Sequence, residues 1–470
     1  MRIRRFLLVV GAGLVAACQI NPPASPASAA TTCAIPMEVL PTPQPDEAGG
    51  AGLGEEQSFQ TRLRGLLSPP ANPSGFAEPR KSSLLFLSGG SQKGSFGAGF
   101  LKGWGQRPGG LPRFDMVTGV SAGSILATAA FIGDGDGAAE QFSQVNRESD
   151  VLKAFATKNS KGDFTTTSYL SIAKHGAAAD LEPMRQMLIA YLRAHRPGHQ
   201  MSRIEEARVE ALANRELYVG AVDLDSGEFV AFNLGGYLRA SPTLSDKVVG
   251  CYATAVLASS SVPMAALPVF IDGRVYVDGG ARNGMFGMQL INQLYELAAS
   301  GGADPASAPN LYLLVNGTQV TEPDCDGYRK QKIAPAGPSA AQDAFCRKTV
   351  GDPHVTPPKR PTWSLATVGL RSVDVLINQV YRANAQATFQ AYQLAFHTQT
   401  GFHFTRMKPD APDFRLGDRS CGSSAGYVTK DGQPTWFDLD EQATHPLEFY
   451  PHYMKCLIAY GEERARQEAW

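Results

Sequence analysis

Leu84-Leu85-Phe86-Leu87 is a run of four large apolar residues with no polar alternate. Successive side chains of a strand point to opposite faces, so a strand built from this run has water on neither face. It must lie inside a sheet with helices above and below. Ser88-Gly89-Gly90 follows at once, and then a helix-like stretch from Gly97 to Trp104. The pattern recurs. Phe114–Thr118 reads as a second strand and Ser124–Ile132 as a small-residue helix. A charged helix near Leu181–Ala194 precedes a strand pair at Leu217–Val222 and Phe229–Phe232. An apolar helix at Val248–Ala258, a short strand at Val275–Val277, a helix at Met288–Ala299 and a buried strand at Leu311–Val315 complete the set. Alternation of buried strands with helices predicts an α/β fold, a three-layer α/β/α sandwich with a mostly parallel central sheet. Residues 319–361 read as a long loop, and Leu365–His397 as one long helix or two.

The chain has 470 residues and a formal net charge of -1, which gives no electrostatic case for a nucleic-acid partner. Nothing in it points to a protein partner or a cofactor, and no Cys/His cluster has the spacing of a metal site. The first seventeen residues are distinctive. Arg2, Arg4 and Arg5 precede a short apolar run from Phe6 to Ala17, which ends in Val15-Ala16-Ala17-Cys18. A charged head, a run too short to span a bilayer and small residues at its end read as a signal peptide, residues 1–17. Small residues before a cysteine resemble the lipobox of bacterial lipoproteins, in which Cys18 would become the acylated N-terminus. The pair Arg4-Arg5 also resembles a twin-arginine signal. Gln19 after the cysteine leans the resemblance toward the outer membrane. The expected location is therefore the cell envelope, lipid-anchored, on the periplasmic side or the surface, with Cys18 as the contact to the membrane. Residues 18–80 read as a lipidated N-terminus and flexible tether, rich in Pro, Ala, Ser and Thr. Within it Leu53–Leu67 has an amphipathic pattern, with Phe59, Leu63, Leu66 and Leu67 near one face.

Seven cysteines are present, and without Cys18 six remain. An even number in an oxidising compartment suggests disulfides. Cys325–Cys346 and Cys421–Cys456 each close a modest loop and are the expected pairs. Cys251 lies in an apolar stretch and is expected as a buried free thiol.

Three motifs carry chemistry. Gly119-Val120-Ser121-Ala122-Gly123 sits between a strand and a helix. A nucleophilic serine on such a bend needs small neighbours, here Gly119 and Gly123, and the helix start offers free N–H groups. Ser88-Gly89-Gly90-Ser91-Gln92-Lys93-Gly94 follows the first strand, and bare glycine amides there can form an oxyanion hole from Gly89, Gly90 and Ser91. Lys93 would support the charge or brace the loop. The spacing matches neither a P-loop nor a dinucleotide fingerprint. Asp278-Gly279-Gly280 follows the strand Tyr276-Val277 and puts a carboxylate beside two glycines, Gly279 and Gly280.

These three elements, in this order, resemble the patatin-like phospholipase family. The run Ala258-Ser259-Ser260-Ser261-Val262-Pro263, and Ile271-Asp272-Gly273 before the aspartate, are also similar to the family's segment leading to its catalytic Asp. The resemblance covers about residues 82–317, so residues 81–317 are expected as the catalytic domain and 318–470 as a C-terminal extension packed on it. Ser91 departs from the family, which most often has a third glycine there. The resemblance implies a Ser121–Asp278 dyad without histidine, in which Asp278 takes the serine proton and the oxyanion rests on the amides of Gly89 and Gly90. It implies hydrolysis of lipid carboxylic esters, of the phospholipase A or lysophospholipase type. An acyltransferase using the same dyad and a non-catalytic envelope lipoprotein are the alternatives. His397 and His403 are the remaining candidates for a conventional triad, and Asp223 and Asp272 for other acids.

Overall fold

The computed structural model describes residues 32–40, 58–68, 81–159, 164–319, 328, 333, 345–357, 359–361, 365–422, 433–467 and 470. The signal-like segment, Cys18 and Cys325 lie outside the described residues.

Nine strands form one sheet. They are β1 (Met37–Val39), β2 (Ser83–Leu87), β3 (Met116–Val120), β4 (Glu216–Asp223), β5 (Phe229–Asn233), β6 (Val269–Ile271), β7 (Arg274–Asp278), β8 (Asn310–Val315) and β9 (Phe402–Arg406). The order is β1-β5-β4-β3-β2-β8-β9, with β7 paired to β4 and β6 to β7. The pairs β4–β3, β3–β2, β2–β8 and β8–β9 are parallel. The flanking strands β5, β1, β7 and β6 are antiparallel.

Alternate residues of the central strands feed two separate cores. Leu85, Leu87, Val117 and Leu314 face one side, with helices α2 (Gly94–Gly105), α3 (Ala122–Phe131), α4 (Asp246–Ser260) and α7 (Pro451–Gln467). Leu84, Phe86, Met116 and Leu313 face the other, with α1 (Phe59–Leu67), α5 (Gly287–Ala299) and α6 (Leu365–Phe396). This is a three-layer α/β/α sandwich, and burial on both faces explains why the run Leu84–Leu87 carries no polar alternate.

The sheet extends beyond its expected limits at both edges. Residues 32–40 were expected as part of a tether, yet β1 pairs along β5 from Met37↔Phe232 to Val39↔Val230. Three residues, Met37-Glu38-Val39, are too few for a strand signal; the partner strand and a cross-link hold them. Cys33 bonds to Cys251 in α4, so Cys251 is not the free thiol expected. Its apolar surroundings reflect burial of the bridge. Cys421–Cys456 is formed as expected. At the other edge β9 adds to β8 in register from Leu311↔Phe402 to Val315↔Arg406. The final helix α7 lies along α2 so closely that a Cβ on Gly99 would stand 1.9 Å from Ile458 O, and one on Gly461 2.1 Å from Phe96 O. Small residues in both helices thus let their backbones meet.

Candidate active site

The register of β4 brings the two expected catalytic residues together. Its first half pairs with β3, ending at Val120↔Gly220. Along the same edge its last residues pair with β7, beginning at Ala221↔Asp278. The strands β3 and β7 therefore meet head-on against consecutive residues of β4. Ser121 leaves one and Asp278 ends the other.

Ser121 has φ 53° and ψ -126°, a conformation L-residues rarely adopt. Such strain persists only when surroundings enforce it. Here the C-terminal end of α4 does so. The Ser121 N–H donates to Ser259 Oγ at 3.0 Å, and Ser259 Oγ donates to Gly220 O at 2.6 Å. The Ser121 carbonyl accepts from Ser124 Oγ at 2.6 Å and from Ser260 Oγ at 3.2 Å. A Cβ on Gly119 would stand 2.3 Å from Gly123 O, and one on Gly123 2.4 Å from Leu87 O, so both flanking glycines are steric requirements. The serine run 259–261 also reaches the carboxylate strand, because the Asp278 N–H donates to Ser261 O at 2.8 Å.

Ser121 is 5% and Asp278 3% exposed. Asp278 Oδ1 accepts the Gly280 N–H at 2.6 Å. Its Oδ2 is buried and lacks a hydrogen bond of standard geometry. Among the described residues, the Ser121 hydroxyl is nevertheless the side chain that favours the ionised carboxylate. We read this as a loose resting contact, since catalytic hydrogen bonds in unliganded sites commonly tighten only with substrate. Burial pushes the Asp278 carboxyl up to about 6, against the opposing pull of the Ser121 hydroxyl and the Gly280 amide. Gly279 packs on β4, where a Cβ would stand 2.5 Å from Gly220 O.

The glycine loop lies across from this pair, with one departure from expectation. The Gly89 N–H donates to Gly284 O at 3.1 Å, so in this conformation it is not an oxyanion donor. The loop is folded onto the segment after Asp278, and that is where the amide turns. For Gly90 and Ser91 no such engagement of the N–H is found among the described residues. Gly90 abuts Asn316, whose carbonyl oxygen would be 2.1 Å from a Cβ there. Asn316 also clamps Ser88, donating from N to Ser88 Oγ at 2.9 Å and from Nδ2 to Ser88 O at 2.7 Å. Ser91 has φ 49°, in the left-handed region that glycine enters freely. Its hydroxyl donates to Glu448, in the loop before α7. Gln92 Oε1 accepts the Tyr450 N–H at 3.3 Å, and the Lys93 charge acts on Glu448. Lys93 is thus placed to brace the loop.

Other candidates are occupied elsewhere. His403 stacks on Tyr312 at 4.4 Å, and His397 lies beside Gly302, so neither forms a triad with Ser121 and Asp278. Asp223 pairs with Arg274, and Asp272 accepts the N–H groups of Cys33 and Ala34 at 2.7 and 2.8 Å. These two acids hold loops and the N-terminal strand.

Asn316, Glu448 and above all Tyr381 were not anticipated. Tyr381 comes from α6, far along the chain, and is 6% exposed. A Cβ built on Gly89 would stand 2.1 Å from its hydroxyl oxygen and 3.0 Å from Ser121 Cβ. A single tyrosine within a helical run carries no sequence signal of such a position.

The crystal structure of VipD from Legionella pneumophila aligns over 81% of this chain and 67% of that one, at 13% identity and a TM-score of 0.31, values that carry no functional inference. No curated protein matches. The family model described as patatin-like phospholipase matches residues 85–288, a span that contains the glycine loop, the Ser121 bend and Asp278. Residues 85–288 of this chain are a patatin-like phospholipase domain, the domain of a family of lipid acyl hydrolases.

Proposed function

We propose that the protein is a serine acyl hydrolase that cleaves carboxylic esters of lipids, of the phospholipase A or lysophospholipase type, through a Ser121–Asp278 dyad. The observation that carries this is the meeting of β3 and β7 on consecutive residues of β4, with a buried carboxyl beside the strained serine. As Ser121 Oγ bonds to the ester carbonyl carbon, its proton passes to Asp278 and the carbonyl electrons move onto oxygen. The amides of Gly90 and Ser91 and the start of α3 offer N–H groups to that oxyanion. Collapse breaks the C–O bond to the alcohol, which leaves with the proton held by Asp278. Water then repeats the sequence on the acyl enzyme, with Asp278 as base. A carboxyl raised to about 6 is a better base near neutral pH than an ordinary aspartate and remains largely ionised there.

We take residues 81–317 as the catalytic unit, with 318–470 packed on it, and Cys18 as the site of lipidation in a cell-envelope protein. Support for the compartment is the lipobox-like segment together with two disulfides. No described helix is long and apolar enough to cross a membrane.

Turnover of a short-chain ester and of a phospholipid vesicle tests the dyad. Ser121→Ala and Asp278→Asn should each lower kcat by at least ~10³-fold with the fold retained. Near-normal kcat in Asp278→Asn would refute the base assignment.

A further inference from the structure

The helix α6 lies outside the matched family span, yet it delivers a phenol to the reacting centre. The Tyr381 ring fills the space left by Gly284, where a Cβ would stand 1.4 Å from the ring Cδ1. The Tyr381 carbonyl accepts Gln319 Nε2 at 3.3 Å. Its hydroxyl lies over Gly89. A Cβ on Gly280 would stand 3.2 Å from that hydroxyl and 3.0 Å from Asp278 Oδ1. The phenol oxygen is therefore set among Gly89, Gly280, Ser121 and Asp278. It makes no hydrogen bond to any described residue. Burial and the negative charge of Asp278 both push its pKa up, so it stays protonated and can only donate or accept, not ionise.

The glycine loop lacks one expected donor. The Gly89 N–H is spent on Gly284 O, the same residue against which the Tyr381 ring packs. The phenol oxygen stands where a side chain on Gly89 would, next to Ser121 Cβ. We propose that the Tyr381 hydroxyl donates a hydrogen bond to the oxyanion of the tetrahedral intermediate, so that the C-terminal segment completes the oxyanion hole of the patatin-like domain. This rests on Ser121 as nucleophile. No proton is transferred from Tyr381: the serine proton moves to Asp278 and later to the leaving alcohol, while the phenol O–H strengthens its bond as charge grows on the carbonyl oxygen. A donor that acts mainly on the charged intermediate raises kcat rather than substrate affinity.

The test uses the full chain with Tyr381→Phe, which keeps the ring and removes the hydroxyl. Steady-state kinetics on a short-chain p-nitrophenyl ester are paired with inhibition by an alkyl trifluoromethyl ketone, whose serine adduct carries a charged oxygen. The expected result is a kcat lowered about 10- to 100-fold, KM changed less than twofold, and a ketone Ki raised by a similar factor to kcat/KM. The acid limb of the pH profile should stay in place. A kcat within twofold of wild type overturns the proposal, as does a kcat loss with unchanged ketone Ki, which would mark Tyr381 as packing only. Ser121→Ala separates the two layers of the argument. If Ser121→Ala retains turnover, the nucleophile assignment fails whatever Tyr381 does. If it is inactive and Tyr381→Phe is normal, the phenol proposal alone fails.

Discussion

A carboxyl placed where it is nearly dehydrated costs the fold something, and at Asp278 the sign can be worked out. Its folded pKa, about 6, lies above the ordinary value of 3.8. The folded state therefore holds this proton more tightly than the unfolded chain does. Above pH 6 the ionised, buried group is a liability on the order of 3 kcal/mol. The liability shrinks as pH falls from 6 toward 4, because the folded protein takes up the proton first. Asp278→Asn, neutral throughout, should unfold at higher temperature than wild type at pH 8, and the gap should close by about pH 4. A gap independent of pH, measured by thermal unfolding, would mean that Asp278 is not the source. The neighbouring residues also show what the sequence could disclose. Gly119, Gly123 and Gly279 were legible because backbone contact admits only glycine at each. Ser91 shows the converse. Its φ of 49° explains why a glycine is usual there, and the bond to Glu448 holds the serine in that conformation. Tyr381 was invisible because a side chain that reaches the site across the fold leaves no local pattern.

At the scale of elements, the central strands and their helices were readable because burial on both faces writes a continuous apolar run. The edge strands were not. β1 has three residues and β9 five, half-buried, and their existence depends on β5 and β8 rather than on their own residues. The Cys33–Cys251 bridge shows how β1 is retained. It joins the N-terminal segment to α4, the helix whose last turn grips Ser121, across 218 residues of chain. A cross-link over so long a loop stabilises by about 2–5 kcal/mol, chiefly by restricting the unfolded chain. The double variant Cys33→Ser/Cys251→Ser should therefore lower Tm by about 2–5 °C. Its kcat on a soluble ester should stay within about twofold, since α4 remains held by its own core contacts and by Ser259–Gly220. Unchanged Tm would show that packing alone holds β1.

For the whole molecule, the site is assembled from distant parts of one chain. The patatin-like domain contains Ser121, Asp278 and the glycine loop. The residues after it add β9 to the sheet, α7 along α2, Glu448 to Ser91 and Tyr381 to the reacting centre. The N-terminal segment is pinned to the opposite edge by β1. If Cys18 carries acyl chains, it tethers this assembly to a lipid surface. Cys18→Ala should then move the protein from the membrane fraction to the soluble fraction while leaving turnover of a soluble ester unchanged. Persistence of the variant in the membrane fraction would place the anchor elsewhere.

In the proposed mechanism Ser121 gives its proton straight to the Asp278 carboxylate. The most direct measurement is the rate of covalent labelling by a fluorophosphonate as a function of pH, with the labelled residue mapped by mass spectrometry. The label is predicted on Ser121, at a rate that falls through a single ionisation near pH 6 as Asp278 takes up a proton, and that is largely lost in Asp278→Asn. A label on another residue, or an acid limb that survives unchanged in Asp278→Asn, would contradict it.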